Sequence, residues 1–122
     1  MTEEDKDLLL KDLCARLPYH PRVKVVPDKG DIYDEWWTFA TLPEIGQIQY
    51  TLYPYLRPMS SMTGAEVLEY IGLKEKIVAS DDITYSFETY ESIDWLNAHY
   101  FDYRGLIEKN LALEAPEGMY NN

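Results

Sequence analysis

Leu8, Leu9, Leu13 and Leu17 recur at helical spacing behind a Thr2 to Asp5 capping pattern, which predicts an amphipathic helix running through Arg16. Pro18 pushes the residue before it out of helical geometry, and Pro21 reinforces the stop. Cys14 falls beside Leu13 and Leu17 on the apolar side. It is expected to be a small buried thiol, since it lacks the basic or helix-N-terminal surroundings that activate a cysteine. Val23 to Val26 reads as a strand, and Pro27-Asp28-Lys29-Gly30 as the reversal after it. In Ile32 to Leu42 the phase places Trp37 and Phe39 toward the core. After a connection at Pro43 to Gly46, Ile48, Tyr50 and Leu52 alternate with Gln49, Thr51 and Tyr53 as a half-buried strand, and the two runs are expected to pair as a hairpin.

Prolines and serines from Pro54 to Met62 predict a loop. Thr63 with Glu66 forms a capping box, predicting a helix from about Gly64 to Leu73 that buries Val67, Leu68 and Ile71. Lys74 to Asp82 reads as a connection, and Ile83 to Glu88 alternates apolar and polar without a break, the clearest strand of the chain. From Glu91 or Ser92 a helical period returns through Ile93, Leu96 and Tyr100. Asp102 is placed to cap a further short helix, Tyr103 to Lys109, with Leu106 and Ile107 inward and Asn110 in the left-handed closing position. Leu111 and Leu113 then alternate with Ala112 and Glu114 before a tail whose last residues, 117–122, are expected to be flexible. With no repeat or linker, these elements predict one α+β domain over residues 1–122: an N-terminal helix, an antiparallel sheet of about four strands, and two to three further helices.

Charge narrows the partners. The 122 residues hold 22 acids and 11 bases, net -11, yet also 17 aromatics, too many for a disordered acidic tail. Residues 1–30 are neutral, residues 31–76 carry -4 and residues 77–122 carry -7. Such a field repels phosphate, so direct nucleic-acid binding is not expected, and the local basic cluster Arg16, His20, Arg22 and Lys24 is read as a solvated turn and strand edge. The acidic start and the lack of any long apolar run argue against a secretory leader and a membrane span. One cysteine permits no intrachain disulfide, and the chain is read as cytoplasmic.

No catalytic constellation stands out, and neither a cofactor nor a metal is expected. With two His and one Cys, a zinc site is poorly supplied; Asp31, Asp34 and Glu35 read as a solvated strand entrance. Ser60 and Ser61 lack the glycine-flanked elbow of a catalytic serine. Two constellations remain. Tyr55 and Arg57 in the predicted loop, with His99, Asp102, Tyr103 and Arg104, form the candidate binding set. The two arginines would hold an anion and His99 would serve as acid or base, His99 and Asp102 sharing a face if the helix continued. A cleft uniting the two segments would favour a small enzyme or ligand-binding domain over the alternative, a recognition surface. That alternative rests on Tyr19, Tyr33, Trp36, Tyr53, Tyr55, Tyr90 and Tyr120, which cannot all point inward in so small a domain.

Two blocks, PYLRPMSSMT at Pro54 to Thr63 and WLNAHYFDYRGLIEKNLALEAPEGMY at Trp95 to Tyr120, resemble motifs of small proteins from gut Bacteroidota and their prophages or mobile elements, a family with no assigned activity. Together they cover about 36 of 122 residues. Asn110 stands where that pattern has glycine, and Gly64-Ala65 where acidic residues are usual. The resemblance implies a phage or mobile-element accessory role. Combined with the charge, it leads to the expectation of a non-enzymatic module that binds a protein, preferably a basic one, with mimicry of nucleic acid as one version.

Overall fold

The structure is a computed structural model and describes residues 2–38, 50–78 and 84–120. It is a small single-domain α+β fold. Helix α1 (Glu3–Arg16) starts at the expected capping box, Thr2 Oγ1 accepting from the Asp5 amide at 3.0 Å. Its buried stripe runs Leu9, Asp12, Leu13, Arg16. That stripe includes two charged residues and is therefore rotated from the all-leucine face the pattern suggests. Cys14, about 100° round the helix from Leu13, is consequently exposed rather than buried.

Strand β1 (Arg22–Pro27) is central, with Val23 and Val25 buried beneath α1. It pairs antiparallel with β2 (Tyr33–Trp36) on one side and β3 (Tyr50–Leu56) on the other. The expected hairpin between the second and third runs therefore does not form over the described residues, because β1 separates them. Phe39, the Pro43 to Gly46 connection and Ile48 lie outside the described residues. β3 extends through Pro54 to Leu56, into the predicted loop, since Pro54 sits opposite Val23 and Leu56 is completely buried. The fourth strand, β6 (Leu113–Glu114), joins β3 in parallel, so the sheet, in order β2-β1-β3-β6, is mixed rather than antiparallel.

Trp37 is buried, as its phase predicts, and its indole N–H donates to the Leu13 carbonyl at 2.9 Å. That carbonyl lies in the last turn of α1, so the indole ties the end of the helix to the chain after β2. Leu9, Leu13, Leu17, Val23, Val25, Trp37 and Leu56 close the main core with Leu106, Leu111 and Ala112.

Helix α2 (Gly64–Leu73) begins at the Thr63 and Glu66 capping box. It packs through Tyr70, and Val67, Leu68 and Ile71, expected inside, are exposed. The predicted connection after it holds β4 (Glu75–Val78), which pairs antiparallel with β5 (Thr84–Phe87) as a separate two-stranded sheet. The clearest strand of the sequence thus lies outside the main sheet. Helix α3 (Tyr90–Ala98), capped by Thr89, stacks Trp95 between Tyr70 and Phe101, each ring centroid 5.7 Å away, in a second core with Leu96.

Two similar reversals follow. At the end of α3, Tyr100 adopts φ 65; the Phe101 amide donates to the Leu96 carbonyl (2.9 Å) and the Tyr100 amide to the Asn97 carbonyl (3.1 Å). These are the paired bonds of a Schellman closure, with the apolar contact between Phe101 and Leu96 that accompanies it. Asn110, at φ 61, repeats it: Leu111 donates to Leu106 (2.9 Å) and Asn110 to Ile107 (3.1 Å). The expected helix from Tyr103 to Lys109 is reduced to that one turn, because Gly105 at φ 74 breaks helical geometry just before it.

The C-terminal segment is tied down through Tyr120. Its hydroxyl accepts from the Arg22 amide at 2.8 Å and donates to the Tyr55 carbonyl at 2.7 Å, and its ring stacks on Tyr100 at 3.8 Å. No helix among the described residues is long and apolar enough to cross a membrane.

Candidate functional site

The junction of β3, the α3 closure and the C-terminal segment encloses a cleft of about 650 Å³. Arg57 and His99 both line it, with Glu66, Tyr100, Glu117 and Tyr120 among their neighbours. Backbone bonds align the two strands of chain that carry the pair: the Arg57 amide donates to the Tyr100 carbonyl at 2.7 Å, and the Asp102 amide to the Arg57 carbonyl at 2.9 Å. The pairing of the 55–61 and 99–104 segments is therefore built into the fold.

Arg57 is already engaged. Its Nη2 and Nη1 donate to the two Glu66 carboxylate oxygens at 2.7 and 2.9 Å, and its guanidinium lies 4.1 Å from the Phe101 ring centroid. The same carboxylate accepts from the Thr63 amide at 3.0 Å. The Arg57 hydrogen bonds hold Glu66 well below the usual carboxylate range, at about 2. A two-pronged, charge-assisted pair of this kind fixes geometry, and it leaves Arg57 no charge to offer an anion. His99 ends α3, its ring 4.2 Å from Trp95, and among the described residues neither ring nitrogen has a hydrogen-bond partner.

The remaining predicted site residues lie elsewhere. Tyr55 is buried and its hydroxyl donates to Asp34 Oδ1 at 2.9 Å; burial, then that bond, raises its phenol above the ordinary range. Asp102 does not share a helical face with His99, since the left-handed Tyr100 turns the chain between them. Its carboxylate instead accepts from the Leu106 and Ile107 amides, both at 2.9 Å, and caps the turn they begin. Arg104 points away from the cleft, Nη1 donating to Asp12 Oδ1 at 2.7 Å, with Tyr103 4.5 Å beneath its guanidinium.

That last contact belongs to a buried ionic cluster the sequence reading missed. Asp12 and Arg16 are both fully buried, joined by Arg16 Nε to Asp12 Oδ2 at 2.9 Å. Arg16 Nη2 donates to the Phe101 carbonyl at 2.6 Å, which locks α1 to the α3 closure, while Nη1 has no hydrogen-bond partner among the described residues. The i, i+4 spacing of Asp12 and Arg16 was the available signal. The cluster withdraws Arg16 from the basic patch, and Arg22 stacks on Trp36 at 4.9 Å. Among the described residues no three His, Cys, Asp or Glu side chains are grouped to hold a metal ion.

A second feature is the surface of the 64–90 stretch. Leu68 is 75 % and Tyr90 95 % exposed, and every residue of β4 and β5 is exposed. Of the other aromatic residues that could not all point inward, Tyr33 and Trp36 are exposed, Tyr19, Tyr53 and Tyr120 half-buried and Tyr55 buried. Comparison with protein families, curated proteins and solved structures finds no match to this chain.

Proposed function

We propose that this chain is a non-enzymatic accessory protein that binds a basic protein partner through an acidic, tyrosine-bearing surface. One observation carries the reading: α2 and the β4–β5 hairpin leave Val67, Leu68, Ile71, Ile77, Val78, Tyr85 and Phe87 exposed within a single stretch of chain. Isolated exposed apolar residues are ordinary, but a concentration of them marks an interaction site. Residues 64–91 also carry seven acids and two lysines, and complementary charge steers encounter and orientation. The resemblance to mobile-element proteins supports an accessory role in that setting.

The test is capture from the native host with the parent chain and with a Leu68→Ser, Phe87→Ser double variant, each washed at low and at high salt. A partner retained by the parent, lost by the variant and released by salt supports the reading. Partners held equally by both, or indifferent to salt, refute it. Competition of that partner with DNA would mark nucleic-acid mimicry.

The cleft at Arg57 and His99 favours a second reading, a small-ligand site. It ranks below the first because Arg104 is turned to Asp12 and Arg57 is neutralised by Glu66, which removes the anion-binding role. His99 is left as the candidate acid or base in the cleft, with Glu114 and Glu117 also lining it. Titration with small amines and carboxylates, following the His99 ring signals, tests it; no displacement by either class ends it.

A further inference from the structure

β4 and β5 pair with each other and, among the described residues, with no third strand. Their register defines two sides, because direct cross-strand partners share a side and successive residues alternate. Ile77 opposite Tyr85 and Glu75 opposite Phe87 form one; Lys76 opposite Ser86 and Val78 opposite Thr84 form the other. The first is the apolar side. Tyr85 and Phe87 stack across it at 6.5 Å, yet Ile77, Tyr85 and Phe87 remain 52, 50 and 49 % exposed. A two-stranded ribbon is marginal in water and gains independent stability from a third strand or a covering element.

The two outer edges differ. β4 carries Glu75 and Lys76, and charged residues are a usual guard against unwanted pairing. β5 reads Thr-Tyr-Ser-Phe, with no charge and no proline, and three of its four residues favour extended backbone. Its outer edge is unguarded. Acidic residues follow it in the chain, Glu88 directly after β5 and Glu91 in the first turn of α3. Glu88 is itself held within the chain, its carboxylate accepting from the Tyr70 and Ser92 hydroxyls with Lys74 3.7 Å away, so its charge is partly offset and Glu91 is the acid next beyond it.

We infer that the outer edge of β5 takes an extended, basic segment of a partner protein as a third strand. Its apolar residues continue the row of Ile77, Tyr85 and Phe87, and its lysines or arginines, which alternate onto the other side, lie toward the acidic run of Glu88 and Glu91 that follows β5. Main-chain bonds then supply affinity and the alternating side chains specificity. The inference rests on the proposed protein-binding function and adds the mode of binding and the chemistry of the partner. A second copy of the chain is the competing occupant, and net charge disfavours it, since two chains each of net charge -11 repel one another.

Three synthetic octapeptides test this against the whole chain: alternating valine and lysine, the same peptide N-methylated at every second amide on one edge, and alternating valine and glutamate. Binding is read by calorimetry at low salt, and amide hydrogen exchange is followed at Thr84 to Phe87. The expected result is that the first peptide binds and slows the outward-facing β5 amides at least about tenfold, while the other two bind at least about tenfold more weakly. N-methylation keeps every charge and side chain, so equal binding by the first two peptides overturns strand addition while leaving the protein-binding function intact. Binding without protection at β5 overturns it likewise. A chain that binds no peptide, or that sediments as a dimer with β5 protected, removes the basic segment as occupant. Failure of the function itself is read separately, in the absence of any salt-released partner.

Discussion

Replacing Asp12 by asparagine removes one negative charge from between two guanidinium groups and barely changes shape. Asp12 is fully buried and accepts from Arg16 at 2.9 Å and from Arg104 at 2.7 Å. Arg104 retains some contact with solvent and can rehydrate; Arg16 cannot, because its side chain is completely buried and, among the described residues, one of its nitrogens already lacks a partner. Leaving a buried charge uncompensated costs about 3–5 kcal/mol, and partial escape by Arg104 places the expected loss at about 3–4 kcal/mol. For a domain of this size that corresponds to a melting temperature lower by about 10–15 °C.

Urea unfolding provides the assay, with two further variants as controls. Arg104→Met removes the cluster's surplus positive charge and leaves the Asp12–Arg16 pair neutral, so it should cost no more than about 1 kcal/mol. Asp12→Leu with Arg16→Met replaces both fully buried ions by apolar groups and should cost less than Asp12→Asn alone. An Asp12→Asn loss under about 1 kcal/mol, or a double variant as damaged as the single, would refute the electrostatic account of how α1 is joined to the α3 closure.

Glu66 titrates at about 2 in the folded chain against an ordinary 4.5. A depressed carboxyl contributes stability above its unfolded value that is lost as the pH falls; urea midpoints should therefore drop between about pH 5 and pH 2, and Glu66→Gln should flatten that dependence. Tyr100 occupies the left-handed position that favours glycine. Tyr100→Ala and Tyr100→Gly both lose the stack on Tyr120 and the hydroxyl bond to the Tyr19 carbonyl, so thermal melts should find the glycine variant more stable than the alanine by about 1 kcal/mol, the reverse of the order inside a helix. Cys14 is exposed and should react with a maleimide in the native chain nearly as fast as in urea, as followed by mass spectrometry.

Local signals were legible where they are satisfied locally. The capping boxes at Thr2 and Thr63, the turn before Gly30 and the left-handed Asn110 each depend on residues within a few positions of one another. Misreadings occurred where a distant partner decides. Leucine spacing alone could not show that Asp12 and Arg16 belong to the buried stripe of α1, since what makes that burial tolerable is the Phe101 carbonyl and Arg104, some 90 residues away. Likewise the end of α3 carries no glycine, and Tyr100 holds the left-handed turn because its ring and hydroxyl are fixed by Tyr120 and the Tyr19 carbonyl. Of the candidate site, the meeting of Arg57 with His99 was one alternative the residues left open; the neutralisation of Arg57 by Glu66 across nine residues was not legible, although Glu66 is a recognisable capping residue.

The most consequential misreading has a different cause. Val67, Leu68 and Ile71 follow a helical period, and Ile77, Tyr85 and Phe87 occupy one side of a paired strand. Periodicity of that kind specifies a face that is stabilised by cover, and in a single domain the nearest cover is normally its own core. Here the core is closed without them: Trp95, Leu96, Phe101 and Tyr70 fill the space beneath α2 and α3, and β1 and β3 complete the sheet above α1. The apolar pattern is intact and its cover is missing from the described chain. A pattern that strong, left outward in a protein with twice as many acids as bases, is the physical reason to seek the cover in a basic partner.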